Sequence, residues 1–354
     1  MKIIDRYVLK TQLIAVLLVL FVLVGLAAFI GFLGEAEKAG SGNYTMLDAL
    51  GYVFMTLPQV AIDMFPAATL IGSLLGLGAL ASRSELIAMR SAGVSIGRLA
   101  ISVGIVGVIL MTAATAVSEF VAPQAEAYAK QERSLKLNRN FLLAGEQGVW
   151  FKDGDSIVNI SQWRDPTSVG QINQFHFDRN HSLISITRAK QGEYNNQEWQ
   201  LSEVLESEFN PESVATSQRE KSSWNVNLEP QTLQLFSVEP EHLSSKNLYD
   251  YTRFLRANGL ETQRYEVAFW SRIATSTSIV LMSLLALPFV FGSLRTGNTG
   301  VRLFMGVFIG ISYMTANKML VGTGEVYGLN AFLSAWLPTF LLGLVTFVAL
   351  LRTR

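Results

Sequence analysis

The sequence predicts a mixed membrane protein: a six-helix α transmembrane domain with an extracytoplasmic domain of short antiparallel strands inserted halfway. Three observations predict it. Residues 11–121 and 273–351 carry long runs almost free of charge, whereas residues 122–272 hold most of the Asp, Glu, Lys and Arg. A bilayer span needs roughly 20 apolar residues, and these runs supply six of them. The loops between the runs alternate in charge, and the middle stretch alternates apolar and polar residues with period two.

Composition sets the outer limits. Half of the 354 residues are hydrophobic and 16% are charged, with a mean hydropathy of +0.31. That is too apolar for an ordinary soluble chain of this size. Formal net charge is zero, so no bulk attraction to nucleic acid is implied. The chain has no cysteine, which excludes disulfides, thiolate metal sites and thiol catalysis.

The spans are drawn as Leu13–Leu33, Gly51–Ala81, Leu99–Val121, Ile273–Phe291, Leu303–Val321 and Ala331–Leu351. The first follows Lys2, Arg6 and Lys10 as a signal peptide would. Its run is too long for one and has no clear cleavage site, so it reads as a retained helix. The second is overlong and contains Pro58, Asp63 and Pro66, which predicts a kinked or oblique start. Basic residues gather at the N-terminus, at 82–98 (Arg83, Arg90, Arg98), at 293–302 (Arg295, Arg302) and at Arg352 and Arg354. The other loops carry Glu35, Glu37, Asp48 and Glu325. The positive-inside rule then places both termini in the cytoplasm and the insert outside it. Tyr44, Tyr52, Trp270, Tyr327 and Trp336 fall near the outer span ends, as an aromatic belt would.

The insert reads as an antiparallel sandwich or roll. Trp224, Val226 and Leu228 alternate with asparagines, Phe175 and Phe177 flank His176, and Ile184 and Ile186 flank Ser185. Its ends read as helical, Glu119–Lys136 continuing the third span and Ser244–Arg272 leading into the fourth. The expected domains are 1–130, with a loop helix at 82–93, then 131–262 and 263–354.

Three features carry candidate chemistry. Ser82 and Glu85 have capping-box spacing for a short helix that Gly93 ends. Leu86, Ile87 and Met89 would give that helix an apolar face. The bland reading is a capped surface helix, and the sharp one is a coupling helix seated in a motor. Next come small-residue stripes: Ala68, Gly72 and Gly76 on span two, Gly306 and Gly310 on span five, and Ala27, Gly31 and Gly34 on span one. On span two these read as packing within the chain; on span one they also suit a seam against a second chain. Finally, Asp63 and Lys318 are ionisable residues within spans, counted as lying near the outer span ends. They read either as a functional pair or as snorkelling side chains. The chain has no G-x-x-x-x-G-K-[ST], H-E-x-x-H or G-x-S-x-G motif, and the spacing of His176 and His181 does not suit a metal. No cofactor is expected.

Several blocks together resemble a family. They are Asp5-Arg6-Tyr7, Pro66 with Leu74-Leu75-Gly76-Leu77-Gly78, Ser82-Arg83-Ser84-Glu85-Leu86 with Ala92-Gly93, and Glu119-Phe120-Val121-Ala122-Pro123. Leu248-Tyr249-Asp250-Tyr251 through Leu260, and Phe291-Gly292-Ser293-Leu294-Arg295, extend the match over nearly the whole chain. They resemble the lipopolysaccharide-export permease family, and its LptG branch more than LptF. The resemblance implies an inner-membrane permease subunit with no ATPase site of its own, which extracts lipopolysaccharide from the outer leaflet. The implied partners are an LptF-like paralogous permease, an LptB-like cytoplasmic ATPase dimer and an LptC-like single-span protein. The insert becomes a periplasmic β-jellyroll resembling the units of the export bridge. Phe175, Phe177, Ile184, Ile186, Trp224, Val226 and Leu228 are then its interior. The loop helix becomes the ATPase-coupling helix, with Glu85, Arg83, Leu86 and Met89 as its working residues. Ala27, Gly31, Gly34 and Lys38 become the lipid path and lateral gate. Here the chain departs from the family, because Gly31 and Glu37 stand where some relatives have lysine and only Lys38 remains.

The energetics suit an external motor. Each CH₂ of a lipid anchor drawn from the bilayer costs about 0.8 kcal/mol. An ATPase-coupled mechanotransmission subunit that moves no substrate is the alternative, and it would show four spans and a long helical stalk. A membrane-anchored enzyme would need a catalytic constellation, and a secondary transporter would need paired deep charges on broken helices.

Overall fold

The computed structural model describes residues 3–137, 149–153, 156–161, 163–165, 167–178, 182–195, 198–209, 213–224, 240, 243–257, 260–291 and 299–352. Two of the expected interior residues, Val226 and Leu228, lie outside them. The chain divides into two compact units, one of residues 1–40, 44–129 and 263–354, the other of residues 41–43 and 130–262.

The first unit is helical. It contains α1 (Ile3–Ala36), α2 (Met46–Ser82), α3 (Glu85–Ser91) and α4 (Ile96–Ala116). A π-helical turn (Val117–Val121) joins α4 to α5 (Ala122–Lys136), so helix runs on from the third span as expected. Among the described residues six helices are long and apolar enough to cross a membrane, one at each predicted span. The overlong second span is one unbroken helix that passes through Pro58 and Pro66. Proline removes a single ladder bond, which a long packed helix tolerates. Its start is fixed by a capping box: the Thr45 amide donates to Asp48 Oδ2 at 2.9 Å, and the Asp48 amide donates back to Thr45 Oγ1 at 3.4 Å.

α2 is the axle of this unit. Leu70, Leu74, Leu77 and Leu80 are buried along it, together with Met282, Leu285, Ala286 and Leu287 of the helix that follows the insert. Glycines set the approaches. A Cβ on Gly72 would stand 2.4 Å from Val16 Cα, and one on Gly76 would stand 3.0 Å from Ala15 Cβ. Gly310 and Gly306 bring the fifth span equally close to Ala67 and to Leu74. The small-residue faces of spans two and five are therefore spent on packing within the chain.

The second unit holds β1 (Val149–Asp153), β2 (Ser156–Ile160), β3 (Trp163–Asp165), β4 (Ser168–Val169), β5 (Ile172–Phe177), β6 (Leu183–Asn195), β7 (Glu198–Phe209) and β8 (Val214–Trp224). A helix, α6 (Ser245–Ala257), follows in the same unit. All pairings are antiparallel. The strands run in the order β1-β2-β5-β6-β7-β8, and β4 with β3 continues from β6 beside β5. Three of the strands are long rather than short. The buried face gathers Val158, Ile160, Ile172, Ala189, Val204 and Trp199, with Phe254 of α6 packed against it. Inward residues fall two apart except at one place, where Ala189 is followed by Gly192 and Leu201 by Val204. Lys190 and Glu203 face out there, paired at 2.9 Å, and Glu203 has φ +52°. The strand register is the same on both sides of that break. A Cβ on Gly192 would stand 2.7 Å from Ile172 Cδ1, so that side-chain tip would have to shift.

The remaining helices return to the first unit: α7 (Gln263–Phe291), α8 (Thr299–Val326) and α9 (Ala331–Arg352).

Candidate functional site

The short helix α3 is the best-defined candidate, and it differs from its sequence reading in two ways. Ser82 does not cap it: the Ser82 hydroxyl donates back to the Ala79 carbonyl at 2.9 Å as the last residue of α2. The N-cap is Ser84, held at φ 61° with no side-chain bond. The chain leaves one helix and enters the next within two residues, so no extended cap can form. The far end is as expected. Gly93 takes φ +87°, and the Val94 amide reaches back to the Met89 carbonyl at 3.0 Å.

The second difference concerns the apolar face. Leu86 is 1% exposed and belongs to the core that also contains Val8, Leu80, Val94 and Leu99. Met89 packs against the same core. Of the three apolar residues only Ile87 stays out, at 45% exposure. The periodicity was right, but the face it describes seats the helix on its own chain. Arg83 and Ile87 point outward, Glu85 is half-buried, and the Arg90 guanidinium lies over the Phe291 ring at 5.8 Å.

The start of α1 grips both ends of this loop. The Arg98 guanidinium forks onto Asp5, with Nη2 to Oδ2 at 2.9 Å and Nε to Oδ1 at 3.3 Å, and the Ser102 hydroxyl also donates to Oδ1. Bidentate geometry of this kind is the strong form of an ion pair. Val8 of α1 packs in the same core as Leu86 of α3. Asp5 thus has a job that counting loop charges did not reveal.

Further along α1 lies a buried polar knot that sequence reasoning missed. Gln12 is fully buried, and its Nε2 donates to Ser73 Oγ and Ser283 Oγ, each at 2.8 Å. Ser283 in turn donates to the Val103 carbonyl at 3.0 Å. Four helices, α1, α2, α4 and α7, meet there. A lone glutamine at the edge of an apolar run was the available signal.

The far half of α1 is different. Ala27 is half-buried, whereas Gly31 and Gly34 are exposed and meet nothing within 4 Å of a built Cβ. Near the end of the helix Glu35 is buried beneath the Tyr44 hydroxyl and takes the Lys38 ammonium at 2.8 Å. Lys38 is therefore neutralised within the chain. Among the charges within spans, Asp63 lies midway along α2 rather than near its end, because that helix starts at Met46. Its carboxylate accepts a bond from Gln59 at 3.3 Å. Lys318 is exposed on α8. A further ion pair stands where α4 ends: Arg272 Nη1 lies 3.1 Å from Glu119 Oε1, both mostly buried, beside the π-helical turn. Such turns insert one residue and swing side chains off the helical track.

The interior of the insert needs a correction. Trp224 is buried against Trp199 as expected. Phe175, paired with Ile186, lies on the opposite face from the buried row of Ile172, Ala189 and Val204. Phe175, Phe177 and Ile186 are half-buried, and Ile184 is exposed. Trp150 stacks on Phe175 from the same outer face at 5.8 Å. On β6 the buried alternates are Ser185, Thr187 and Ala189. The sequence period was correct and the choice of inner face was inverted, because the polar set is the one covered here.

Comparison with known proteins agrees over the full length. The family model for the lipopolysaccharide export system permease LptF/LptG matches residues 6–352. The lipopolysaccharide export system permease protein LptG of Haemophilus influenzae is 35% identical over 352 residues, covering 99% of this chain and 98% of that protein. The LptG of Escherichia coli K12 is 34% identical over 353 residues, with the same coverage.

Proposed function

Since the chain belongs to the lipopolysaccharide export system permease family LptF/LptG, we propose that it is the transmembrane subunit of an ATP-driven exporter. It draws lipopolysaccharide from the outer leaflet of the bacterial inner membrane and passes it to a periplasmic bridge. The carrying observation is α3. It is a short helix seated on the membrane core by Leu86 and Met89, with Arg83 and Ile87 turned outward, in a chain without a phosphate loop. A partner ATPase dimer docks on that outward side, and hydrolysis enters the membrane through Glu85 and its neighbours. Both termini and α3 are cytoplasmic, and the insert is periplasmic, by the charge of the loops. The paralogous permease covers the open face of α1, with a single-span protein at the same seam. The lipid path runs along Ala27, Gly31 and Gly34.

Three features of the molecule support this over a mechanotransmission subunit: six candidate spans among the described residues, a strand-rich insert, and small residues on the outer half of α1 that meet no described neighbour. The test is purification in mild detergent followed by reconstitution into vesicles. The reading expects a cytoplasmic ATPase and a second permease to co-elute. It expects ATP to drive lipopolysaccharide out of the vesicles. A chain that elutes alone, or a complex whose ATP turnover moves no lipid, contradicts it.

A further inference from the structure

Between α4 and α5 the backbone has two windings open to it, and a proline makes them nearly equal in hydrogen bonds. In the π-helical turn Val117–Val121 the Ala122 amide donates to the Val117 carbonyl, five residues back. In α winding it would donate to Ser118. Pro123 has no amide proton, so the carbonyl opposite it lacks a ladder donor in either winding. That carbonyl is Glu119 in α winding and Ser118 in π winding. The unpaired carbonyl is thus moved by one residue rather than created. Here it is Ser118, and Arg272 Nη1 donates to it at 3.4 Å while also donating to Glu119 Oε1 at 3.1 Å. We infer that this turn is a two-position joint between α4 and α5, held in its π position by Arg272, and that its α position exchanges buried Glu126 for Tyr128.

The exchange follows from counting. A π turn takes up one residue more than an α turn, so when it is lost every later residue takes the place of the next one. α5 now buries Ala122, Glu126 and Ala129 and exposes Ala127 and Tyr128. In the α position Tyr128 takes the buried place of Ala129, Ala125 takes that of Glu126, and Glu126 moves to the exposed place of Ala127. The helix beyond the joint turns by roughly 100° about its own axis.

Each position has a cost and a compensation. The π position keeps Glu126 buried at 7% exposure, which disfavours its charge. It recovers the Ser118 carbonyl through a charged donor, a strong form of hydrogen bond. The α position releases Glu126 to solvent and buries an aromatic ring, but it leaves the Glu119 carbonyl without its ladder donor. Arg272 therefore decides between two windings that are otherwise close. The joint lies on the covalent path to the insert, because α5 continues through Lys136 and its residues from Lys130 onward belong to the second unit. The inference is independent of what the protein exports.

The chain has no cysteine, so single cysteines can report on each place while Glu126 and Tyr128 stay as they are. Ala125 is half-buried and Ala129 is buried; in the α position Ala125 becomes buried and Ala129 takes the half-buried place of Lys130. The rate of reaction with a water-soluble maleimide is measured for Ala125→Cys and Ala129→Cys in the full-length protein in detergent. In the parent background Ala125→Cys is expected to react at least threefold faster than Ala129→Cys. With Arg272→Gln the order is expected to reverse. Deleting Val121 removes the residue that the π turn accommodates, and combined with Arg272→Gln it is expected to restore the parent order. Loss of an ion pair alone would not be repaired in that way. An unchanged order in Arg272→Gln overturns the joint. So does fast reaction at both places that the deletion leaves uncorrected, since that is a frayed helix and not a change of winding. If Arg272→Gln does not fold alone, the deletion decides: the shortened chain must fold and show the parent order whether residue 272 is Arg or Gln, and its failure to do so overturns the proposal.

Discussion

The two halves of α1 are packed by opposite rules. Toward α3 it buries Val8, Gln12, Val16 and Val19, meets glycines of α2 at the closest possible approach, and bonds to neighbours through Asp5 and Gln12. Beyond Val19 it exposes Leu26, Phe29, Ile30 and Leu33, and its own glycines face open space. Glycine plays both parts. On α2 it removes volume so that a partner can enter, and on α1 it marks a face that nothing among the described residues fills. In a bilayer, where the hydrophobic effect does not drive helices together, small residues let another surface approach a helix closely. The difference teaches that one motif says nothing about its use until the opposing atoms are known.

The sharpest way to break this contrast is to add volume to both halves. Gly72→Leu should cost about 3 kcal/mol or more, since its side chain would overlap the Val16 backbone; thermal unfolding of the purified protein in detergent checks it. Gly31→Leu should leave that unfolding midpoint unchanged or slightly raised, because Leu is the better helix former by about 0.8 kcal/mol. Equal losses from the two substitutions would mean that the outer face is packed after all.

Next in size is the ion pair that ties the π-helical turn after α4 to α7. Arg272→Ala breaks this mostly buried pair and should cost about 3 kcal/mol. Unfolding followed by protease sensitivity at that end would reveal it. Smaller still is the true capping box. Thr45→Ala should cost about 1 kcal/mol, read by the same melt, whereas Ser82→Ala should be nearly silent because Ser82 caps nothing. At the polar knot the expected effect depends on the substitution. Gln12→Leu removes the side chain whose Oε1 has no hydrogen-bond partner, and Ser283 retains the Val103 carbonyl as acceptor. Its cost should stay within about 1 kcal/mol, whereas Gln12→Ala, which opens a cavity, should cost ~2 kcal/mol or more.

What could be read from the sequence divides along physical lines. Span positions follow from apolar length alone, and all six helices are present. Helix continuing past Val121, and the stop at Gly93, follow from local propensity and backbone freedom. Faces were harder. Leu86 and Met89 show the period of a buried stripe, but a period does not say whether the covering surface is one's own chain or a partner. On β5 and β6 the apolar alternates Phe175 and Ile186 were taken as the inside, yet the inside holds Gln174, Ser185 and Thr187. Alternation fixes which residues share a face, and only the curl of the sheet fixes which face is covered. Asp5–Arg98 and Glu119–Arg272 join residues far apart in the chain, and no local pattern announces such pairs.

The account stands or falls on the open half of α1 being the lipid path. A photo-crosslinking residue placed at Gly31, in vesicles containing lipopolysaccharide and the assembled complex, measures this directly. The account predicts a lipopolysaccharide adduct that diminishes when ATP is supplied, as the bound lipid is passed on. Capture of ordinary phospholipid alone, with or without ATP, would place this face against bulk bilayer and contradict it.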